Sequence, residues 1–136
     1  LDHRYIGINY DTCHTVSRAS TGWIDAASIT RPFIKGLAIK DFAWVKRAGW
    51  TSDGIPGWER QMRPVGDGMV DLRDMLEFFG RGDFQGPINI HYEHHDLLGT
   101  DVGAYKPTLS TEEIITLMKA DLDYVRSVMA EAKFSA

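Results

Sequence analysis

The sequence predicts a parallel α/β fold, and three observations carry that reading. Three short apolar stretches read as strands, and each leads through a loop into a candidate helix. Within every strand one face is apolar and the other is small or polar. Strand–helix alternation calls for crossovers between parallel strands, whereas a sandwich would run strand after strand with turns between them.

Taken in chain order, the first strand is Tyr5-Ile6-Gly7-Ile8-Asn9-Tyr10. A short first helix follows on Trp23, Ala26, Ala27 and Ile29, and it ends before Pro32. The second strand runs from Ile34 to Lys40, and a long loop extends from Ala43 to Gly68. The middle helix starts at Asp71, a good N-cap, with Val70, Leu72, Met75, Leu76 and Phe79 on its apolar side. It ends near Gly80-Arg81-Gly82, where glycine releases the chain. The third strand is Pro87-Ile88-Asn89-Ile90-His91-Tyr92, followed by a second long loop from His94 to Leu109. The last helix opens on a capping box, Ser110-Thr111-Glu112-Glu113. Its apolar stripe is Ile114, Leu117, Met118, Leu122, Val125 and Met129.

Strand parity describes the interior. Ile6, Ile8 and Tyr10 share a face opposite Gly7, Asn9 and Asp11. Leu37 and Ile39 oppose Gly36, Ala38 and Lys40, while Ile88, Ile90 and Tyr92 oppose Asn89, His91 and Glu93. A doubly wound sheet would be apolar on both faces. Here one parity suits a helix-covered exterior, and the other ends each time in a charge: Asp11, Lys40, Glu93. A TIM (β/α)8 barrel, whose lumen opens onto a polar site at the carboxyl ends of the strands, fits this pattern. The long loops lie at that same end, where active sites are built.

At 136 residues, the chain is well short of the roughly 250 that a closed eight-unit barrel takes. It is therefore expected to form one partial domain over residues 1–136, three βα units of such a barrel, and the resemblance described below implies that they are the C-terminal three. Three units leave a sheet edge open on each side. The expectation is a fragment of a longer protein, or a sheet completed by another chain segment or a homo-oligomer. A first residue of Leu1 rather than Met suits a processed or excised chain.

Composition excludes some function classes. A formal charge of -4, without a basic run, argues against nucleic acid as a partner. No apolar run approaches the ~18 residues of a membrane span. Cys13 is the single cysteine, so no internal disulfide forms, which suits a reducing, cytoplasmic compartment.

Four segments carry a resemblance. Asp11-Thr12-Cys13-His14 is a D-x-x-H pattern directly after a strand, and Leu37-Ala38-Ile39-Lys40-Asp41 is an "xKD" strand end. Pro64-Val65-Gly66-Asp67-Gly68-Met69-Val70-Asp71 follows, and then Phe84-Gln85-Gly86-Pro87-Ile88 leads into a strand ending at Glu93. In this order the set resembles the C-terminal part of the xylose isomerase-like barrels. That family includes sugar phosphate isomerases, ketose 3-epimerases and relatives of the type IV AP endonucleases.

The resemblance implies a divalent ion (Mn, Mg or Zn) at the carboxyl end of the barrel. Its ligands would be a glutamate from an earlier strand, the Asp of D-x-x-H, a His of "HxKD" and a final-strand Glu. On this chain the implied metal residues are Asp11, His14 and Glu93, with Glu93 and Lys40 as catalytic groups. His14 is implied to contact the sugar as well, and Lys40, Trp44 and His91 are further candidate substrate-binding residues from their own positions and chemistry. Hard oxygen ligands suit such ions, which bind vicinal sugar oxygens and acidify a carbon-bound proton. Flanking carboxylates can then move that proton, giving isomerisation or epimerisation of a sugar or sugar phosphate.

Two departures matter. Ala38 stands where the "HxKD" histidine is expected, and the first glutamate belongs to a strand that this chain lacks. Lys40 offers an alternative in which its ammonium takes the metal's electrostatic role between Asp11 and Glu93. On that reading no metal is needed, and the chain is either a metal-free sugar site or a carbohydrate-binding or assembly module without chemistry.

Other features have plainer readings. His91-Tyr92-Glu93-His94-His95 invites a transition-metal cluster, but strand alternation splits it between two faces, and His94 and His95 read as polar contacts. Gly66-Asp67-Gly68 could cradle a phosphate, yet Asp67 and Asp71 would repel one, so a turn into a helix is favoured. Cys13 reads as a small buried residue rather than a nucleophile. Trp44, Trp50 and Trp58 could stack on a sugar or pack the loop, and Arg60 and Arg63 could contact a phosphate or carboxylate.

Overall fold

The apolar parity of the strands is the face that the helices cover. Tyr10, Leu37 and Ile39 all lie in the hydrophobic core with Ala27, Leu72, Leu76, Phe79, Val125, Val128 and Phe134, and Ile88 and Ile90 pack against it. The structure, a computed structural model, describes residues 2, 4–19, 22–46, 49, 57–82, 84–94 and 109–134. In chain order its elements are β1 (Ile8–Asp11), α1 (Thr12–Ala19), α2 (Trp23–Thr30), a 3-10 turn (Arg31–Phe33), β2 (Ile34–Ile39), β3 (Asp41–Lys46), β4 (Trp58–Arg63), α3 (Leu72–Gly80), β5 (Ile88–Ile90) and α4 (Thr111–Glu131).

The sheet is parallel, in the order β1-β2-β5. Tyr10 lies beside Leu37 and Leu37 beside Ile88, with Ile39 beside Ile90, so the apolar side chains form continuous rows on the helix-covered face. On the other face Asn9, Gly36, Ala38 and Asn89 alternate with them. Asn9 and Asn89 are exposed, and the Asn9 amide oxygen lies where a Cβ on Gly36 would sit. This is the small or polar barrel-lumen parity expected from the sequence. β1 starts at Ile8, not Tyr5, because its register partner Ile34 is where β2 begins. Beyond the partner's end there is no ladder to join.

Two elements differ from the expected plan. α1 starts directly at the end of β1, where no helix was anticipated. Its Thr, Val and Ser residues have weak helix propensity. What starts it is the strand-end acid: Asp11 Oδ1 accepts from the His14 backbone N–H at 2.8 Å, an N-cap contact. The connection from β1 to β2 thus holds two helices, α1 and the expected α2, rather than one.

The second difference lies between Ala43 and Gly68, read as one long loop. Its two ends form an antiparallel hairpin, β3 with β4, from Asp41 beside Arg63 to Lys46 beside Trp58. Trp, Val, Ala and Phe in β3 alternate poorly in hydropathy, and both faces are partly buried, so the period-2 signal is absent.

The other helices follow the sequence closely. Asp71 caps α3 by accepting from the Asp74 N–H, and Leu72, Met75, Leu76 and Phe79 are its buried residues. The capping box of α4 is complete, with Ser110 and Glu113 each bonded to the other's backbone. The buried line of α4 is Asp121, Val125 and Val128, whereas Ile114, Leu117, Met118, Leu122 and Met129 are only half-buried. The helix is rotated from its apolar stripe because Asp121 is drawn into the interior by two buried partners, described below.

Candidate functional site

The three strand-end charges meet at the carboxyl edge of the sheet. Lys40 Nζ lies 3.0 Å from Asp11 Oδ2 and 3.1 Å from Glu93 Oε2, so one ammonium bridges the ends of all three parallel strands. The Lys40 side chain is only 6% exposed, against 19% for Asp11 and 44% for Glu93. Burial pulls the Lys40 pKa down, but hydrogen bonds and charge from Asp11 and Glu93 outweigh it and leave the value raised. The lysine is therefore a fixed cation at neutral pH, and Glu93 is its solvent-facing partner.

Each carboxylate has a histidine on its outer side. His14 Nδ1 is 2.8 Å from Asp11 Oδ2, and His91 Nδ1 is 3.5 Å from Glu93 Oε1. His14 is held there by α1, since the residue three places after the cap returns over the strand end. His91 follows β5 directly, and its backbone N–H extends the ladder to Ile39 O at 2.8 Å. Trp44 stands apart from this cluster on β3. It is half-buried, with its ring edge-on to Phe42 at 6.1 Å between centroids. Asp11, His14, Lys40, His91 and Glu93 are thus brought together, and Trp44 is not among them.

Two residues that sequence reasoning passed over organise this edge. Thr12 Oγ1 donates to Lys40 O at 2.7 Å and accepts from Lys40 N at 3.1 Å, tying β1 to β2 where the charges emerge. Asp41 is 1% exposed and its carboxylate accepts four backbone N–H groups, from Phe42, Gly66, Gly68 and Val70, at 2.8 to 3.1 Å. The Gly66-Asp67-Gly68 turn therefore wraps the strand-end acid, and its N–H groups are not available to a phosphate. Glycine is required in this turn: Gly66 has φ +98°, and a Cβ on Gly68 would collide with the Asp41 carboxylate. The sequence signal for Asp41 is an acid flush with a strand end followed by a G-x-G turn.

A third buried acid lies nearby. Asp121 of α4 pairs through Oδ2 with His94 Nε2 and accepts Val65 N–H through Oδ1 at 3.1 Å. Both side chains are 2% exposed, and His94 Nδ1 has no partner among the described residues. His94 is thus a polar contact of the core, as read from the sequence. Trp50 and His95 lie outside the described residues, and so does most of the loop from His94 to Leu109.

Cys13 is fully buried beside Met62, with Sγ 3.9 Å from Sδ, and burial pushes its thiol up to about 11. This is the small buried residue anticipated, not a nucleophile.

The described residues of this chain do not by themselves form a divalent-cation site. The Lys40 ammonium stands between the two carboxylates that would bind one, and Ala38 carries no donor atom. Among the described residues no group of three or more His, Cys, Asp or Glu could hold a metal.

Comparisons with known proteins bear on the fold. A family model described as xylose isomerase-like TIM barrel matches residues 1–127. Among solved structures, the crystal structure of a xylose isomerase domain protein from Planctomyces limnophilus superposes with a TM-score of 0.64 at 17% identity. The match covers 93% of this chain and 39% of that one, and at this identity it shows the fold alone. No curated protein sequence matches the chain significantly.

Proposed function

The chain belongs to the xylose isomerase-like TIM barrel family, and from that premise we propose that it supplies the carboxyl-terminal part of a sugar isomerase or epimerase site that works without metal. The observation that carries this reading is Lys40, buried as a cation between Asp11 and Glu93 at the strand ends. In a metal-assisted site the ion holds the sugar's carbonyl oxygen and stabilises the negative charge that develops there. A preorganised ammonium can do the same by donating a hydrogen bond to that oxygen.

The proton transfer then needs a carboxylate beside the neighbouring carbon. Glu93 is the more accessible of the two and takes the carbon-bound proton, while the C–H electron pair moves to form an enediolate whose oxygen faces Lys40. Returning the proton to the adjacent carbon, while that carbon's partner hydroxyl passes its proton to the oxygen held by Lys40, isomerises the sugar, and a proton delivered to the same carbon by a second acid on the opposite face epimerises it. His91 and His14, each against one carboxylate, orient them. A sugar or sugar phosphate is the small-molecule partner.

A second reading follows from Ala38 and from the engagement of both carboxylates by Lys40: a carbohydrate-binding or assembly module that has kept the fold and lost the chemistry. Solvent exchange separates the two. The full-length protein is incubated with a panel of ketoses in D2O after chelator treatment, and deuterium uptake next to the carbonyl is followed by NMR. The enzymatic reading expects uptake that survives chelation and is lost in Lys40→Met and Glu93→Gln. Binding of a ketose without exchange would establish the second reading. Exchange that needs an added divalent ion would overturn the metal-free site.

A further inference from the structure

The amino end of the sheet, opposite the charged strand ends, carries a cleft of about 520 Å³. Arg31, Ile34, Lys35, Phe79, Gly82 and the segment 84–87 line it. β2 begins at Ile34, and Lys40 follows its last residue, so the cleft lies on the order of 20 Å along the strand from the Lys40 bridge. In a barrel this end ordinarily serves stability. Here two residues of the hydrophobic core, Ile34 and Phe79, line an opening instead.

One cation is fixed in its wall. Arg31 Nη2 donates to Phe78 O, in the last turn of α3, at 2.9 Å, and Arg31 Cζ lies 4.7 Å from the Phe78 ring centroid. Gly82 packs on the same group, since a Cβ there would fall on the guanidinium itself. Among the described residues the Phe78 bond is the one hydrogen bond of this side chain, which carries five N–H donors. Lys35 meets the cleft with its carbonyl against Gly86, while its side-chain stem lies against Gly7. None of the described residues lining the cleft is acidic. Glu77, in the same turn of α3, is already paired with Arg81 at 2.8 Å, and Asp83 lies outside the described residues.

We infer that this cleft binds a small organic carboxylate, its charged head on Arg31 and its apolar body on Ile34, Phe79 and Phe84. The volume falls within the roughly 300–1,000 Å³ of small-molecule sites, and the lining has their character, mostly apolar with few polar groups. A guanidinium held at one edge by Phe78 O keeps a second edge for both oxygens of a carboxylate. Its rigid, half-buried placement lowers the entropy lost when a ligand binds.

The glycines keep the cleft open. A Cβ on Gly86 would meet the Phe84 ring and the Lys35 carbonyl, just as one on Gly82 would displace Arg31. One fixed cation balances a monoanion, whereas phosphate brings close to two charges and no apolar body for the aromatic wall. The cleft is at the opposite end of β2 from Lys40, so the assignment is independent of the sugar-site reading.

The test is an amide-resolved NMR titration of the full-length protein with 3-phenylpropionate, its neutral amide and inorganic phosphate, at constant ionic strength. The carboxylate is expected to give saturable shifts at Ile34, Phe79, Gly82 and Phe84, and to bind about ten-fold or more tightly than the amide. Arg31→Gln should erase that preference. Because Arg31 also bonds the last turn of α3, a second variant avoids the fold: Gln85 is exposed, and Gln85→Glu sets a like charge in the lining. It should weaken the carboxylate about five-fold or more with an unchanged thermal melt and unchanged binding of the amide. Equal affinity for acid and amide, or carboxylate binding untouched by Gln85→Glu, overturns the site. So does tighter binding of phosphate at the same amides, or the absence of saturable shifts. Shifts confined to Asp11 and Glu93 would place the carboxylate at Lys40 and overturn it as well.

Discussion

Thr12 and Lys40 exchange two hydrogen bonds, the threonine hydroxyl donating to the lysine carbonyl at 2.7 Å and accepting from the lysine amide at 3.1 Å. This buried pair locks the ends of β1 and β2 in register where Asp11 and Lys40 leave the sheet. Thr12→Val is nearly isosteric but leaves a buried N–H and a buried carbonyl unsatisfied, at a cost of about 2 kcal/mol. Thr12→Ser keeps the hydroxyl and should cost less than half of that. Urea denaturation of the two variants checks the order. A larger loss in Thr12→Ser than in Thr12→Val would mean that the methyl packing, not the hydroxyl, matters.

Asp41 makes a stronger demand. Four N–H groups converge on one carboxylate, and three of them come from the turn between β4 and α3. Asp41→Asn would turn an amide NH2 toward donors on one side. The expected loss is about 3 kcal/mol or more, since charge-assisted bonds are stronger than neutral ones. Hydrogen exchange should show Gly66, Gly68 and Val70 amides losing protection before the β1-β2-β5 ladder does. Uniform loss across the whole chain would indicate that the turn has no separate anchoring.

The residues that were legible in the sequence are those whose role is local or periodic. The caps at Asp71 and Ser110 are written in adjacent residues, and the parallel strands in alternation, so α3, α4 and the sheet could be read directly. Convergence of Asp11, Lys40 and Glu93 was legible as well, because parity and strand order suffice to place three strand ends together. Other features depend on partners far along the chain. The hairpin needs Asp41 beside Arg63, and helix α1 hides behind a D-x-x-H pattern that suggested chemistry first and a helix cap second. The burial of Asp121 was illegible for the same reason: its partners, Val65 and His94, come from separate segments, and helical periodicity alone places the apolar Leu122 inward instead.

The Lys40 bridge has a pH dependence of definite sign. Its pKa is raised in the folded protein, so its contribution to stability is fully present below the ordinary lysine value of about 10.4. That contribution is lost as pH rises through the higher native value. Cys13, pushed up to about 11 by burial, drops stability in the same direction above its unfolded value. The comparison is therefore made in a Cys13→Ala background. Lys40→Met should be less stable at pH 7 by roughly 1–3 kcal/mol, discounted because Glu93 is partly solvated. Urea midpoints from pH 8 to 11.5 should converge as the lysine loses its proton. A gap that stays constant to the top of that range would mean that packing of the side chain, not its charge, holds the strand ends.

His94 and Asp121 form the deepest polar pair among the described residues, and they connect the residue after Glu93 to α4 and to the turn that Asp41 holds. Removing the carboxylate in Asp121→Ala strands two buried donors, His94 Nε2 and Val65 N. A loss of about 3 kcal/mol is expected. His94→Ala leaves Asp121 one partner, Val65, and opens a cavity as well. If the two side chains act as a unit, the double variant should lose less than the sum of the single losses, with a coupling of about 1–3 kcal/mol in a double-mutant cycle. Additive losses would show that Asp121 serves Val65 alone. The coupling also predicts a functional effect at a distance, because His94 directly follows Glu93 on the strand end. When the pair is broken, the geometry of Glu93 against Lys40 should loosen, and ketose affinity should fall even in variants that remain folded at the assay temperature.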